Sequence, residues 1–150
     1  MKVKDLMTKD VICALPNETI PTTVRAMEEA EVGALPVVAD RKLWKLLGIV
    51  TDRDLCLRVL ETGKNPKNIR IREVMTPNPI TCRPEDSLAT CESLMRKNRV
   101  RRIPVVDKEG RLIGIVAQAD LALHAPAVDV SRVLADISKP VRHRAGRKAA

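Results

Sequence analysis

Gly48-Ile49-Val50-Thr51-Asp52-Arg53-Asp54 decides the fold, and it returns in degenerate form as Gly114-Ile115-Val116-Ala117-Gln118-Ala119-Asp120. Each copy reads as a β-branched apolar strand that breaks at a polar corner and opens a helix, Leu55 to Leu60 in the first copy and Leu121 onward in the second. Such a corner suits an anion, because the first-turn N–H groups lack partners within the helix and lie at the positive end of its dipole. Thr51 adds a hydroxyl, and Asp54 adds a carboxylate able to accept from two vicinal hydroxyls, which is how an acidic residue holds a ribose in dinucleotide folds. The residues therefore read as a nucleotide site, with phosphate on the turn and sugar on Asp54. The same Thr and Asp also fit an ordinary N-cap, worth roughly 1 kcal/mol, and both readings stand together.

Working outward, the whole chain repeats. Val3-Lys4-Asp5-Leu6-Met7-Thr8 matches Ile71-Arg72-Glu73-Val74-Met75-Thr76, and the register holds to Leu35-Pro36-Val37-Val38 against Ile103-Pro104-Val105-Val106. Short apolar runs at Val11–Ala14 and Ile80–Cys82 predict strands. Thr19 and Ser87 then stand at N-cap positions. Ile20, Val24 and Met27 follow the first at helical spacing, and Leu88, Cys91 and Met95 follow the second. Two strands and a turn come next, Leu35–Ala39 with Trp44–Val50 and Ile103–Val106 with Leu112–Val116, and Asp107-Lys108-Glu109-Gly110 has the chemistry of a hairpin turn. Val130, Val133, Leu134 and Ile137 mark a last amphipathic helix.

The fold class is therefore α+β, of α/β type, built from two β-α-β-β-α repeats packed as a pseudo-two-fold pair. Residues 1–62 form the first repeat, 63–70 a connector, 71–138 the second repeat with the C-terminal helix, and 139–150 a basic tail expected to be disordered. A three-stranded sheet cannot cover itself. The two units must bury their sheets against each other and leave two equivalent clefts.

Composition narrows the function. With 150 residues, 45% hydrophobic and 31% charged, the chain has the makeup of a soluble globular protein, and no apolar run approaches the roughly 20 residues of a membrane span. The N-terminus has no apolar stretch of a secretory signal, so a cytoplasmic location is expected. Cys13, Cys56, Cys82 and Cys91 are irregularly spaced in apolar contexts and read as reduced thiols, and with only two His residues no metal site is expected. The chain offers no Ser-His-Asp set, paired catalytic acids or Gly-Lys-Ser loop, so it does not read as an enzyme. Of the net charge of +8, five cations unaccompanied by an acid fall in the tail from Lys139. A nucleic-acid grip by that tail is an alternative, but one Trp and no Tyr or Phe leave almost no stacking platform for bases.

The hydrophobic-Pro-Val-Val strand, the hairpin and Gly-Ile-Val-Thr-x-x-Asp, twice in order, resemble a tandem pair of CBS (cystathionine β-synthase) domains, the arrangement called a Bateman module, over about residues 1–138. The resemblance implies a regulatory module that binds AMP, ADP or ATP, or in some members S-adenosylmethionine or NAD, and signals to an attached or separate enzyme or transporter. It also implies a homodimer joined through helices. The ribose-holding Asp falls on Asp54 and Asp120, and the phosphate-contacting Thr or Ser falls on Thr51 but on Ala117 in the second copy, which removes a hydroxyl there. The base pocket falls on Thr8, Ile12, Cys13, Gly33 and Ala34 in the first copy and on Thr76, Ile80 and Thr81 in the second. Arg101 and Arg102 hold the place of phosphate-reaching basic residues, with Arg53 as a further candidate. The expected function is thus regulatory adenosine-nucleotide binding; a ligand-free dimerisation adaptor is the other reading within the family.

Overall fold

The computed structural model describes residues 1–124 and 127–140, so from residue 141 the basic tail expected to be disordered lies outside the described residues. The first repeat runs α1 (Val3–Leu6), α2 (Ile20–Glu29), β1 (Ala34–Val38), β2 (Leu46–Thr51) and α3 (Asp52–Thr62). A 3-10 turn at Pro66–Asn68 leads to α4 (Ile71–Val74), β3 (Thr76–Pro77), α5 (Leu88–Asn98), β4 (Arg102–Val106), β5 (Leu112–Ala117), α6 (Gln118–His124) and α7 (Ala127–Ser138). This is the mixed α and β architecture that the repeat implies.

Local chemistry sets the boundaries. Helix α3 ends at Gly63, whose φ of 65° lies in the left-handed region that glycine adopts without cost. Ser87 caps α5 by accepting from the backbone N–H of Thr90 at 3.1 Å. Thr19 stands at the N-cap position of α2 but accepts no backbone N–H; its hydroxyl pairs with that of Thr22 at 3.0 Å instead.

The strands expected at Val11–Ala14 and Ile80–Cys82 shrink to single parallel bridges, Ala14 to Val37 and Cys82 to Val105. Proline explains why. Ala14 donates to the carbonyl of Pro36 at 2.9 Å and accepts from Val38 N–H at 3.1 Å. The next rung would require an N–H from Pro36, which proline lacks, and Pro104 stops the second copy in the same way.

The folded layers do not follow the sequence repeats. Strand β3 belongs to the second repeat by sequence but completes the first sheet, in the order β1-β2-β3, with Thr76 opposite Ile49 and Pro77 opposite Gly48. Reciprocally, Thr8 bridges Ile115 of β5. The side chains cross over as well: Val3 and Leu6 pack with Cys91, Met95, Ile103 and Val116, whereas Ile71 and Val74 pack with Leu35, Val50 and Leu55. Lys2 and Lys4 fasten the N-terminal segment by pairing with Glu85 at 2.7 and 2.9 Å.

The hairpin tips close the dyad. Lys45 bridges Arg111, Leu112 N–H donates to the Trp44 carbonyl at 2.8 Å, and Cys13, Val38 and Leu112 form a small core with Trp44 and Leu46 against it. Burial there pushes the Cys13 thiol up to about 11, so it stays protonated.

Close approach of β3 to β2 depends on Gly48, where an added Cβ would lie 2.8 Å from the Thr76 carbonyl oxygen and 2.7 Å from Met75 Sδ. Gly48→Ala should cost about 1–3 kcal/mol, because one of the clashing atoms is backbone, and denaturant unfolding should show a lowered midpoint. An unchanged midpoint would mean that β3 does not press on β2.

The Lys2 and Lys4 ammonium groups also hold the Glu85 carboxyl down at about 2, from an ordinary value of 4.5. A depressed folded value means that the stabilisation is full above about 4.5 and is lost as pH falls through about 2. The stability gap between wild type and Glu85→Gln should therefore close on acidification across that window. A gap independent of pH would refute the pairing.

Candidate functional site

Crossing the leading segments leaves a cleft of about 890 Å³ between the two repeats at the start of α3. Its walls bring together Gly33, Ala34, Thr51, Arg53, Asp54, Thr76, Ile80, Arg101 and Arg102 from the expected site residues. The sequence-based grouping changes at this point. Thr76 and Ile80, assigned to the second copy, stand in the Asp54 cleft because β3 pairs with β2, and Thr8 goes to the other sheet with Ile115. Ile12 lines a separate hollow of about 480 Å³ with Lys9, Trp44 and Leu112. Cys13 lies buried in the small core between the hairpins, and Thr81 is half-buried outside the described hollows.

The corner itself is a complete capping box. Thr51 Oγ1 accepts from Asp54 N–H at 3.1 Å, and Asp54 Oδ2 accepts from Thr51 N–H at 3.0 Å. Both the cap and the ligand reading have room here. Oδ2 serves the backbone, while Oδ1 has the Arg58 Nε at 3.6 Å, an ion pair outside hydrogen-bond reach that leaves its lone pairs for other donors. Arg58 also donates to the carbonyls of Val74 and Met75 at 2.8 and 3.0 Å, so the same guanidinium clips the second repeat's leading segment onto α3.

The expected phosphate grip by first-turn amides needs correction. Asp52 N–H donates to the Gly33 carbonyl at 3.0 Å, Arg53 N–H to Asp52 Oδ1 at 2.8 Å, and Asp54 N–H to Thr51. These donors already have partners. The positive charge in the cleft comes from Arg53, Arg99, Arg101 and Arg102, against the carboxylates of Asp52 and Asp54. Four guanidiniums can offer planar, paired N–H donors to phosphate oxygens.

Asp120 repeats half of the box, accepting from Ala117 N–H at 2.7 Å, but Ala117 has no hydroxyl to return the bond. By the repeat register the counterpart of Arg99 is Glu31; both take left-handed backbone, with φ of 53° and 52°. The register thus sets a guanidinium in the second repeat against an acid in the first.

Sequence reasoning missed Asn78, Arg99 and Ile137, all of which line the cleft. Arg99 could have been found from the run Asn98-Arg99-Val100-Arg101-Arg102; nothing local marks Ile137, which arrives on α7. Among the described residues no group of three or more His, Cys, Asp or Glu could hold a metal ion, and no helix is long and apolar enough to cross a membrane.

Known proteins resemble this chain in sequence and fold. The CBS domain profile matches residues 3–61 and 71–126. The CBS domain-containing protein YhcV of Bacillus subtilis is 38% identical over 122 residues, spanning 81% of this chain and 84% of that one. The crystal structure of CBSX2 in complex with AMP is 30% identical and superposes with a TM-score of 0.72, covering 83% of this chain and 95% of its own. The CBS domain pair of protein MJ0100, in complex with 5′-methylthioadenosine and S-adenosyl-L-methionine, is also 30% identical, with a TM-score of 0.73 over 82% and 94% of the two chains. Two matches in tandem, and a fold shared along most of its length, mean that this chain belongs to the CBS domain family.

Proposed function

We propose that the chain is a regulatory module that binds an adenosine nucleotide, AMP, ADP or ATP, in the cleft between its repeats and signals occupancy to a partner protein. The observation that carries this reading is one cleft holding both a half-committed carboxylate, Asp54, and four guanidiniums. The carboxylate suits a ribose diol and the guanidiniums suit phosphate; the AMP complex of CBSX2 supports the same ligand class. S-adenosylmethionine offers these arginines one carboxylate but no phosphate, and its sulfonium is repelled by them, while NAD offers a pyrophosphate.

Because residues of both repeats wall the cleft, a ligand that contacts both shifts the balance between their arrangements by its differential affinity. A second copy is the expected partner in assembly. The groove between α2 and α3, about 690 Å³ and lined by Val24, Met27, Leu55, Val59 and Leu60, is open, whereas in the second repeat α7 packs against α5 and α6 with Val133 buried. The asymmetry favours a dimer through the first repeat's helices. The regulated partner would be an enzyme or transporter acting downstream of that dimer.

Asp54→Asn keeps an oxygen for Thr51 N–H but loses the charge that accepts from the diol. Wild type should gain thermal stability from at least one of AMP, ADP and ATP, and Asp54→Asn should weaken its affinity at least about tenfold by calorimetry, while Asp120→Asn leaves it near wild type. Equal loss in both variants would point away from the Asp54 cleft. No stabilisation by any of these nucleotides would favour the adaptor reading, in which the capping box is the whole role of Thr51 and Asp54.

Cys56 is exposed and lines the α2/α3 groove, while Cys13, Cys82 and Cys91 are buried. A thiol reagent should label Cys56 in dilute native protein and progressively less as protein concentration rises, with the other three reacting only on unfolding. Labelling of Cys56 that is independent of concentration would count against dimerisation through this face.

A further inference from the structure

Helix α7 lies beyond the matched CBS segments, which end at residue 126, yet it reaches the cleft. Ile137 forms part of the wall, and two arginines at the C-terminal end of α5 hold the end of α7 and the residues just past it. Arg96 Nε pairs with Asp136 Oδ2 at 2.5 Å, and Arg99 donates from its guanidinium to the carbonyl of Pro140 at 3.4 Å. Arg99 thus faces two clients, the cleft that it lines and the chain just past the end of α7.

Resting on the reading that the cleft holds an adenosine ligand, we propose that Arg99, alone of the four cleft arginines in contacting the segment after α7 among the described residues, carries the presence of a phosphate in the cleft to the end of α7. The competition is unequal. A long bond to a neutral carbonyl is weak, whereas a guanidinium paired with phosphate makes charge-assisted bonds roughly twice as strong. A phosphate in the cleft therefore draws Arg99 away from Pro140. The cation near the C-terminal end of α7 also opposes the negative end of the helix dipole, and its withdrawal frays that last turn. The pairs that Arg96 and Lys139 make with Asp136 are untouched, so the change is confined to residues 137–140. Adenosine itself can engage Asp54 but offers Arg99 only neutral acceptors, no stronger than the carbonyl it already has.

Hydrogen exchange on the full chain tests this with saturating AMP and saturating adenosine. AMP should slow exchange at residues 51–54 and speed it at 137–139 on the order of threefold, while adenosine slows only 51–54. Asn tolerates the left-handed backbone at position 99, where φ is 53°, so Arg99→Asn keeps the turn. This variant should exchange fast at 137–139 without ligand and respond no further to AMP, though residues 51–54 remain protected by it. Protection at 51–54 with no change at 137–139, an equal effect of adenosine and AMP, or a wild-type response from Arg99→Asn would each overturn the role of Arg99. Loss of protection at 51–54 with both compounds would overturn the nucleotide reading, and this inference with it.

Discussion

The structure depends on backbone contact between each repeat's leading segment and the other repeat's central strand. Thr76 lies opposite Ile49 in the first sheet, Thr8 opposite Ile115 in the second, and the two contacts are possible because Gly48 and Gly114 leave room for the carbonyls of Thr76 and Thr8. Neither repeat completes its own core. Ile71 and Val74 fill the first, Val3 and Leu6 the second, and each of these side chains is almost wholly removed from water. At roughly 1.5–3 kcal/mol for burying such a side chain, the exchange binds the halves more firmly than surface ion pairs could. The cleft is a by-product of that exchange, since its walls come from chain segments that the crossover brings side by side.

Within the cleft, stability and binding draw on the same residues without excluding one another. Thr51 and Asp54 close the N-terminus of α3 as a capping box, yet only one carboxylate oxygen of Asp54 is needed for it. The first-turn amides are spent on Gly33, Asp52 and Thr51, which moves the task of neutralising an anion to side chains. Arginines suit that task better than fixed amides in one respect: they can move when the charge arrives. The two repeats differ as well, with no hydroxyl at Ala117 and an acid, Glu31, in the register position of Arg99.

Much of this was legible in the sequence, for identifiable reasons. The repeated strand-corner-helix stretch fixed the positions of β2, α3, β5 and α6, and Asp107 to Gly110 form the turn their chemistry requires, with Gly110 at φ 77° and its N–H on the Asp107 carbonyl. Asp54, Thr51, Arg101 and Arg102 were singled out from residue type and order, and they do line one cleft. The crossover was not legible, because Thr8 and Thr76 sit in matching local contexts and nothing near either says which sheet it joins. The strands at Val11–Ala14 and Ile80–Cys82 failed for a reason that was in plain view: the proline that marks the neighbouring strand also removes the N–H that a second rung needs. Ile137 belongs to the site only through the packing of α7, a tertiary fact that no local pattern carries.

A crystal structure of the full chain grown with AMP tests the central claim most directly. The account requires the ribose hydroxyls within hydrogen-bond distance of Asp54 Oδ1 and the phosphate among the guanidiniums of Arg53, Arg99, Arg101 and Arg102. Nucleotide bound elsewhere, or an Asp54 cleft filled by side chains with the ligand excluded, would contradict it.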